Sequence, residues 1–325
     1  MSPQRSYSDF KGGEVVKIGL IDVDGHNFPN LALMRISAWH KSQGDEVEWW
    51  QGNFFYYDIV YKSKIFSNSY STDDTDPYNC GKVIKGGTGY AISLVEGKEV
   101  YDKSLDPPLP PQVEKMFPDY SIYPQFDYAV AMTSRGCPRG CAFCHVAAKG
   151  GRCAVKVADV KDFWNGQKEI VVLDPNITAC REKRDLFAQY KETNAVIDFT
   201  QGLDIRLIND EDINDIKQMK LKGIHFAWDN PKEDLTEKFK YYASHGKKDR
   251  HGGFGTVYCL TNYNSTMEEN LYRIYTLRDL GYSPYVMVYD KPNAPQEIKR
   301  LQRWVNNRYI FKSCKRFEDY NPTKG

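Results

Sequence analysis

Three cysteines crowd into one short stretch, Ser134-Arg135-Gly136-Cys137-Pro138-Arg139-Gly140-Cys141-Ala142-Phe143-Cys144, separated by three and then two residues. Gly136 and Gly140 permit the backbone angles that let a short loop wrap a metal centre and turn successive sulfurs to one side. Three thiolates on a cubane cluster leave its fourth iron open to a substrate or cofactor, whereas electron-carrying clusters ordinarily use four cysteines. The rival chemistry is a structural zinc site with His145 or Cys153 as fourth ligand, although zinc knuckles usually space both thiol pairs by two residues. A solvated reactive-thiol loop is a weaker third reading. Cys80, Cys153, Cys180, Cys259 and Cys314 are isolated, as small buried apolar residues often are.

The loop needs a scaffold, and strand candidates surround it. Tyr128 to Met132 leads into it; Glu169 to Leu173, Val196 to Phe199, Gly223 to Ala227, Gly255 to Leu260 and Pro284 to Val288 follow. Helical stretches lie between most of them: Cys180 to Glu192, Asp210 to Leu221 and Thr266 to Leu280. The last is opened by a capping-box pattern, Ser265 to Glu268, and closed by Gly281. Six strand-helix repeats predict a parallel, partly closed barrel over 126–290. Upstream, Val15 to Asp22, Glu46 to Trp50, Tyr57 to Tyr61 and Lys82 to Gly87 read as strands, with a helix from Asn30 to Ser42. The expected fold class is therefore α/β, a Rossmann-like doubly wound domain over 1–101 followed by a partial (βα)6 TIM-like barrel. Six prolines between Asp102 and Pro124 predict a linker over 102–125, and 291–325 reads as a basic, aromatic extension.

The Cys-x-x-x-Cys-x-x-Cys loop after a first barrel strand, with Phe143 just before the last cysteine, is similar to the radical S-adenosylmethionine superfamily. The resemblance covers roughly Tyr128 to Tyr289. It implies that Cys137, Cys141 and Cys144 hold a [4Fe-4S] cluster and that the open iron chelates S-adenosylmethionine. It further implies an external one-electron donor of the flavodoxin or ferredoxin type, and a deoxyadenosyl radical that abstracts hydrogen from a substrate the sequence does not name. Methyl or methylthio transfer is among the outcomes this class supports. Phe143 falls where the family contacts adenine. Asp174 and Asn176 fall where it contacts the methionine end, although a Gly-Gly-Glu type sequence is absent. Gln201 and Arg206, in Gln201-Gly202-Leu203-Asp204-Ile205-Arg206, could meet ribose and carboxylate, the arginine fork suiting two oxygens at once. For each of these the competing reading is an ordinary turn. Trp228-Asp229-Asn230 and Thr261-Asn262-Tyr263-Asn264 end later strands in the same way, and no histidine shows metal-ligand spacing.

Val16 to Trp50 resembles the cobalamin-binding-like domain that precedes the barrel in one subgroup of that superfamily. The Asp-x-His-x-x-Gly signature is missing, since Asp24-Gly25-His26 has the wrong spacing. Methyl-transferring relatives bind cobalamin without that histidine, so the expectation leans against the cofactor and keeps it open. Lysine and arginine total 44 against 43 acidic residues in a chain of 325, which nominates no partner. The first ten residues lack a signal-peptide core and no apolar run reaches about 18 residues, so a cytoplasmic protein without membrane contact is expected. Basic residues from Lys299 to Arg316 interleave with Trp304, Tyr309, Phe311 and Phe317. A metal-stabilised nucleic-acid-binding or sensing protein is the alternative they suggest, and a packed terminal helix the plainer one.

Overall fold

The computed structural model describes residues 15–96 and 98–322; the first ten residues, read above for a signal peptide, lie outside them. The chain divides into two units, Met1–Phe126 and Asp127–Gly325. In the first, strand β1 (Lys17–Asp22) leads through helix α1 (Leu31–Ser42) to β2 (Glu46–Trp49), and β3 (Tyr57–Ser63) and β4 (Cys80–Gly86) follow. All pair in parallel in the order β2-β1-β3-β4. Ile18 and Leu20 of β1 pack with α1 side chains and Ile21 packs on the opposite side with Tyr57 and Val60, so this central parallel strand is buried on both faces. Asn30 caps α1 by accepting the Leu33 amide at 3.2 Å, and Gly44 (φ +89°) ends it.

The strand order reverses at β1, as in doubly wound sheets, but α1 is the helix that covers this sheet. Residues 50–56 and 64–79 join the remaining strands as loops. A hairpin, β5 (Ile92–Val95) with β6 (Lys98–Tyr101), and a single turn, α2 (Pro111–Glu114), complete the unit.

The segment 102–125, expected as a linker, is instead part of the first core. Val113 and Tyr123 are fully buried among β1 and α1 side chains. Arg35 of α1 pairs with Glu114 at 2.6 Å, Ser37 donates to Asp119 at 2.7 Å, and the Trp49 indole donates to the Ile122 carbonyl at 3.0 Å. Proline density forbids a helix; it leaves an extended chain free to lie in a groove and pack.

The second unit begins with β7 (Ala129–Ala131). The cysteine loop lies between β8 (Ser134–Arg135) and α3 (Val146–Gly150), and β9 (Val155–Lys156) returns antiparallel to β8. Then β10 (Glu169–Val172), α4 (Lys183–Glu192), β11 (Val196–Leu203), α5 (Asp210–Gln218), β12 (Lys220–Ala227), α6 (Thr236–His245), β13 (Thr256–Thr261), α7 (Met267–Asp279) and β14 (Ser283–Val288) alternate. Six of these strands form one parallel sheet, β7-β10-β11-β12-β13-β14, in sequence order with two free edges.

Helix α5 stops at Gln218, short of the expected Leu221, because Leu221 pairs with Ile197 as part of β12. Helix α7 is capped by Thr266 with Glu269, one residue beyond the expected Ser265 and Glu268. The presumed extension 291–325 holds α8 (Gln296–Asn306) and α9 (Arg308–Ser313). It belongs to the second core: Trp304, Phe317 and Leu301 are buried with Val286 of β14 and Ile274 of α7. Arg300 stacks on Phe317, which leaves Tyr309 as the exposed aromatic of that segment. No helix among the described residues is long and apolar enough to cross a membrane.

Candidate functional site

Strand β7 delivers the chain to the cysteine loop, and the β8–β9 pairing closes its base. At Gly136 (φ +87°) an added Cβ would lie 2.1 Å from the Cys153 carbonyl, and at Gly140 (φ +56°) 2.5 Å from the Arg152 guanidinium. Gly136 is therefore required by space as well as by backbone angle, whereas at Gly140 the backbone angle is the constraint, since the Arg152 tip can swing aside. The Cys137 amide donates to Gly151 and the Cys144 amide to Cys141, each at 3.0 Å, which fixes the loop's turns. Cys137 is half-buried; Cys141 and Cys144 are exposed.

The thiols share one electrostatic neighbourhood. Partial desolvation pushes the Cys141 thiol up, and Cys144, Asp229 and Cys137 add to it while Arg206 opposes. Desolvation likewise raises Cys144, with Cys137 and Asp229 adding and the Val146 amide opposing. Such thiols hold their protons until a metal group displaces them.

The ends of the other strands supply the surroundings. Asn176, after β10, is buried and its Nδ2 donates to the Cys137 sulfur at 3.4 Å. Its Oδ1 accepts the Thr178 hydroxyl at 2.8 Å, and that hydroxyl accepts the Asp204 amide at 3.0 Å. The Asp204 carboxylate bridges Arg139 of the cysteine loop (2.5 Å) and Arg206 after β11 (2.6 Å); Arg206 also reaches Glu233 at 2.7 Å. Burial alone would raise the Asp204 carboxyl, but the Arg206 and Arg139 guanidinium groups outweigh it and hold it below the usual range. Asp229, after β12, accepts the Leu260 amide at 3.1 Å, and burial pushes its carboxyl up to about 6. Phe143 meets Tyr263 edge to face at 5.4 Å, and Tyr263 meets Tyr289 at 4.9 Å.

Of the residues singled out in the sequence, the structure thus gathers Cys137, Cys141, Cys144, Asn176 and Arg206. Phe143 lies on the same loop, against Tyr263 of the turn after β13. Asp174 lies deeper: at 3% exposure its carboxylate accepts the Thr133 amide and hydroxyl, both at 2.8 Å, and pins the start of the loop. Gln201 is exposed on the irregular stretch of β11 and makes no side-chain hydrogen bond to the described residues. Arg139, Thr178 and Asp204 were not singled out. The Asp-x-Arg spacing of Asp204 and Arg206 was their one local signal.

The donor set suits a cubane. Among the described residues no group of three or more Cys, His, Asp or Glu side chains meets around a single ion. Three thiols on one loop, one of them accepting an N–H, match in number a cubane that takes one thiolate at each of three irons. In the first unit, Asp24 accepts the Ile65 and Phe66 amides across the crevice where the strand order reverses. The His26 ring lies edge-on against Trp49 at 4.3 Å.

No family model matches the chain. An uncharacterized methyltransferase of Pyrococcus horikoshii is 25% identical over 169 residues, which cover 47% of this chain and 36% of that protein; the chain thus spans about a third of that relative's length. A solved structure of the radical S-adenosylmethionine methyltransferase TsrM from Kitasatospora setae, with cobalamin and a [4Fe-4S] cluster bound, superposes with a TM-score of 0.58 at 11% identity. It covers 84% of this chain and 75% of that one. The likeness to the superfamily, in the subgroup with an N-terminal cobalamin-binding-like unit, is therefore one of fold over most of the chain.

Proposed function

We propose that this chain is a radical S-adenosylmethionine enzyme of the methyl-transferring kind, with Cys137, Cys141 and Cys144 as ligands of a [4Fe-4S] cluster. The observation that carries the reading is three thiols on one glycine-shaped loop after the first strand of a six-stranded parallel sheet, with the buried Asn176 amide donating to the first of them. That sheet is read as a partial (βα)6 barrel and the first unit as a reduced Rossmann-like domain. Reacting groups then gather at the carboxyl ends of the strands.

Bound there, the cluster would supply the electron for cleaving S-adenosylmethionine at its open iron, an external donor of the flavodoxin or ferredoxin type having reduced it in the cytoplasm. The chain's own part is positioning. Phe143, Tyr263 and Tyr289 offer an aromatic wall suited to adenine. Arg206, with Nε on Asp204 and Nη1 on Glu233, keeps Nη2 for the cofactor carboxylate. Asp229 places a carboxyl beside the exposed thiols. Cobalamin is bound in the neighbouring structure; in this chain the first unit would hold it without a histidine ligand.

Anaerobic reconstitution followed by iron and sulfide analysis, electron paramagnetic resonance and product analysis tests the reading. The expected result is a cubane signal that S-adenosylmethionine perturbs, lost in Cys141→Ala. S-adenosylhomocysteine would mark methyl transfer, and 5'-deoxyadenosine alone the hydrogen abstraction expected from the sequence. Stoichiometric zinc without cleavage would refute the assignment.

A further inference from the structure

We propose that Asn176 and Thr178 form a positioning pair that sets the reduction potential of the cluster by aiming one N–H at the sulfur of Cys137. The inference rests on the cluster assignment above and adds a role for two buried side chains.

A carboxamide has nearly the same shape at both ends, so something must decide whether its oxygen or its nitrogen faces the sulfur. Here the decision starts from a backbone group that can only donate. The Asp204 amide gives its hydrogen to the Thr178 hydroxyl oxygen at 3.0 Å, so the hydroxyl proton is directed away, to Asn176 Oδ1 at 2.8 Å. With Oδ1 occupied as acceptor, Nδ2 is the end left for Cys137 Sγ, at 3.4 Å. Asn176 and Thr178 are 4% and 3% exposed, so water does not compete for these bonds. Asp204 is held by Arg139 and Arg206, which keeps the starting donor in register.

An N–H aimed at a ligating thiolate favours the state with more negative charge on the cluster, which is the reduced one; it therefore raises the reduction potential. Asn176→Leu keeps the side-chain shape and removes the donor. Thr178→Val keeps the shape of the threonine and removes the group that orients the amide. Thr178→Ser retains the hydroxyl.

The test is a potentiometric titration, followed by electron paramagnetic resonance, of the full chain carrying its reconstituted cluster, with iron and sulfide measured in parallel. In Asn176→Leu the reduction equilibrium constant is expected to fall about tenfold, a shift of about 59 mV to more negative potential for a one-electron couple. Thr178→Val should shift in the same direction by less, and Thr178→Ser should titrate as the parent chain. Parent-like potentials in both Asn176→Leu and Thr178→Val, with full cluster content, overturn the proposal. If Asn176→Leu takes up no cluster, Thr178→Val decides alone: a negative shift supports the proposal and a parent-like potential overturns it. Absence of iron and sulfide in the parent chain would mark failure of the cluster assignment itself, and the proposal would fall with it.

Discussion

Replacing Asp204 by alanine removes the carboxylate that joins the cysteine loop to the end of β11, and the structure sets how much that should matter. The carboxylate is 3% exposed and contacts Arg139 and Arg206, whose side chains are 34% and 27% exposed. Breaking a fully buried pair costs about 3–5 kcal/mol. Both guanidinium groups can be partly rehydrated, so the expected loss falls to about 2 kcal/mol. For a unit the size of the second one, that corresponds to a fall in Tm of roughly 4–8 °C. Urea and thermal unfolding of the metal-free chain, followed by circular dichroism, measure it. A cycle with Arg139→Ala should give a coupling of about 1 kcal/mol. The pH dependence fixes the sign. A carboxyl held low in the folded state stabilises above its unfolded pKa of 3.8 and loses that contribution as pH falls through the folded value, so the gap between parent and variant should narrow toward pH 3. A variant within about 0.5 kcal/mol of the parent at pH 7, or a gap that widens on acidification, refutes the bridging role.

Asp174 predicts the opposite slope, because burial raises its carboxyl from 3.8 to about 6. Between those values the folded chain keeps a proton that the unfolded chain releases, so its contribution to stability falls as pH rises; relative to Asp174→Asn the parent should lose about 2 kcal/mol between pH 4 and 7 in urea titrations. Gly136→Ala should leave the circular dichroism spectrum intact and sharply reduce iron and sulfide uptake on reconstitution, since the new methyl meets the Cys153 carbonyl. Thr266→Ala should cost about 1 kcal/mol of stability by urea unfolding as α7 loses its cap, while Ser265→Ala, whose buried hydroxyl has no partner, should cost nothing measurable.

Ser265 and Thr266 show why some features were legible and others were not. Each is a good cap and each has a glutamate three residues on, so the local pattern is degenerate; packing chose the second. The strands were legible because runs such as Ile170, Val171 and Val172 are apolar and buried on both faces, a property written into consecutive positions. The cysteine loop is local in the same sense: its three thiols and the glycines that shape it lie within one short stretch. The segment 102–125 was misread because proline reports what a backbone cannot become, not what it packs against.

What stayed hidden is the partnership between distant positions of ordinary type. Arg139 and Asp204 each read as one solvated charge until β7 and β11 are set in the same sheet. The type of Asn176 also leaves open whether it serves a cofactor or a sulfur. That choice is made by Thr178, whose hydroxyl is oriented in turn by the Asp204 amide just past the end of β11. The residues that name the chemistry are therefore local in sequence, whereas those that hold and tune it come from the ends of separate strands. A change in the second group should alter potential and stability while leaving the cysteine spacing untouched.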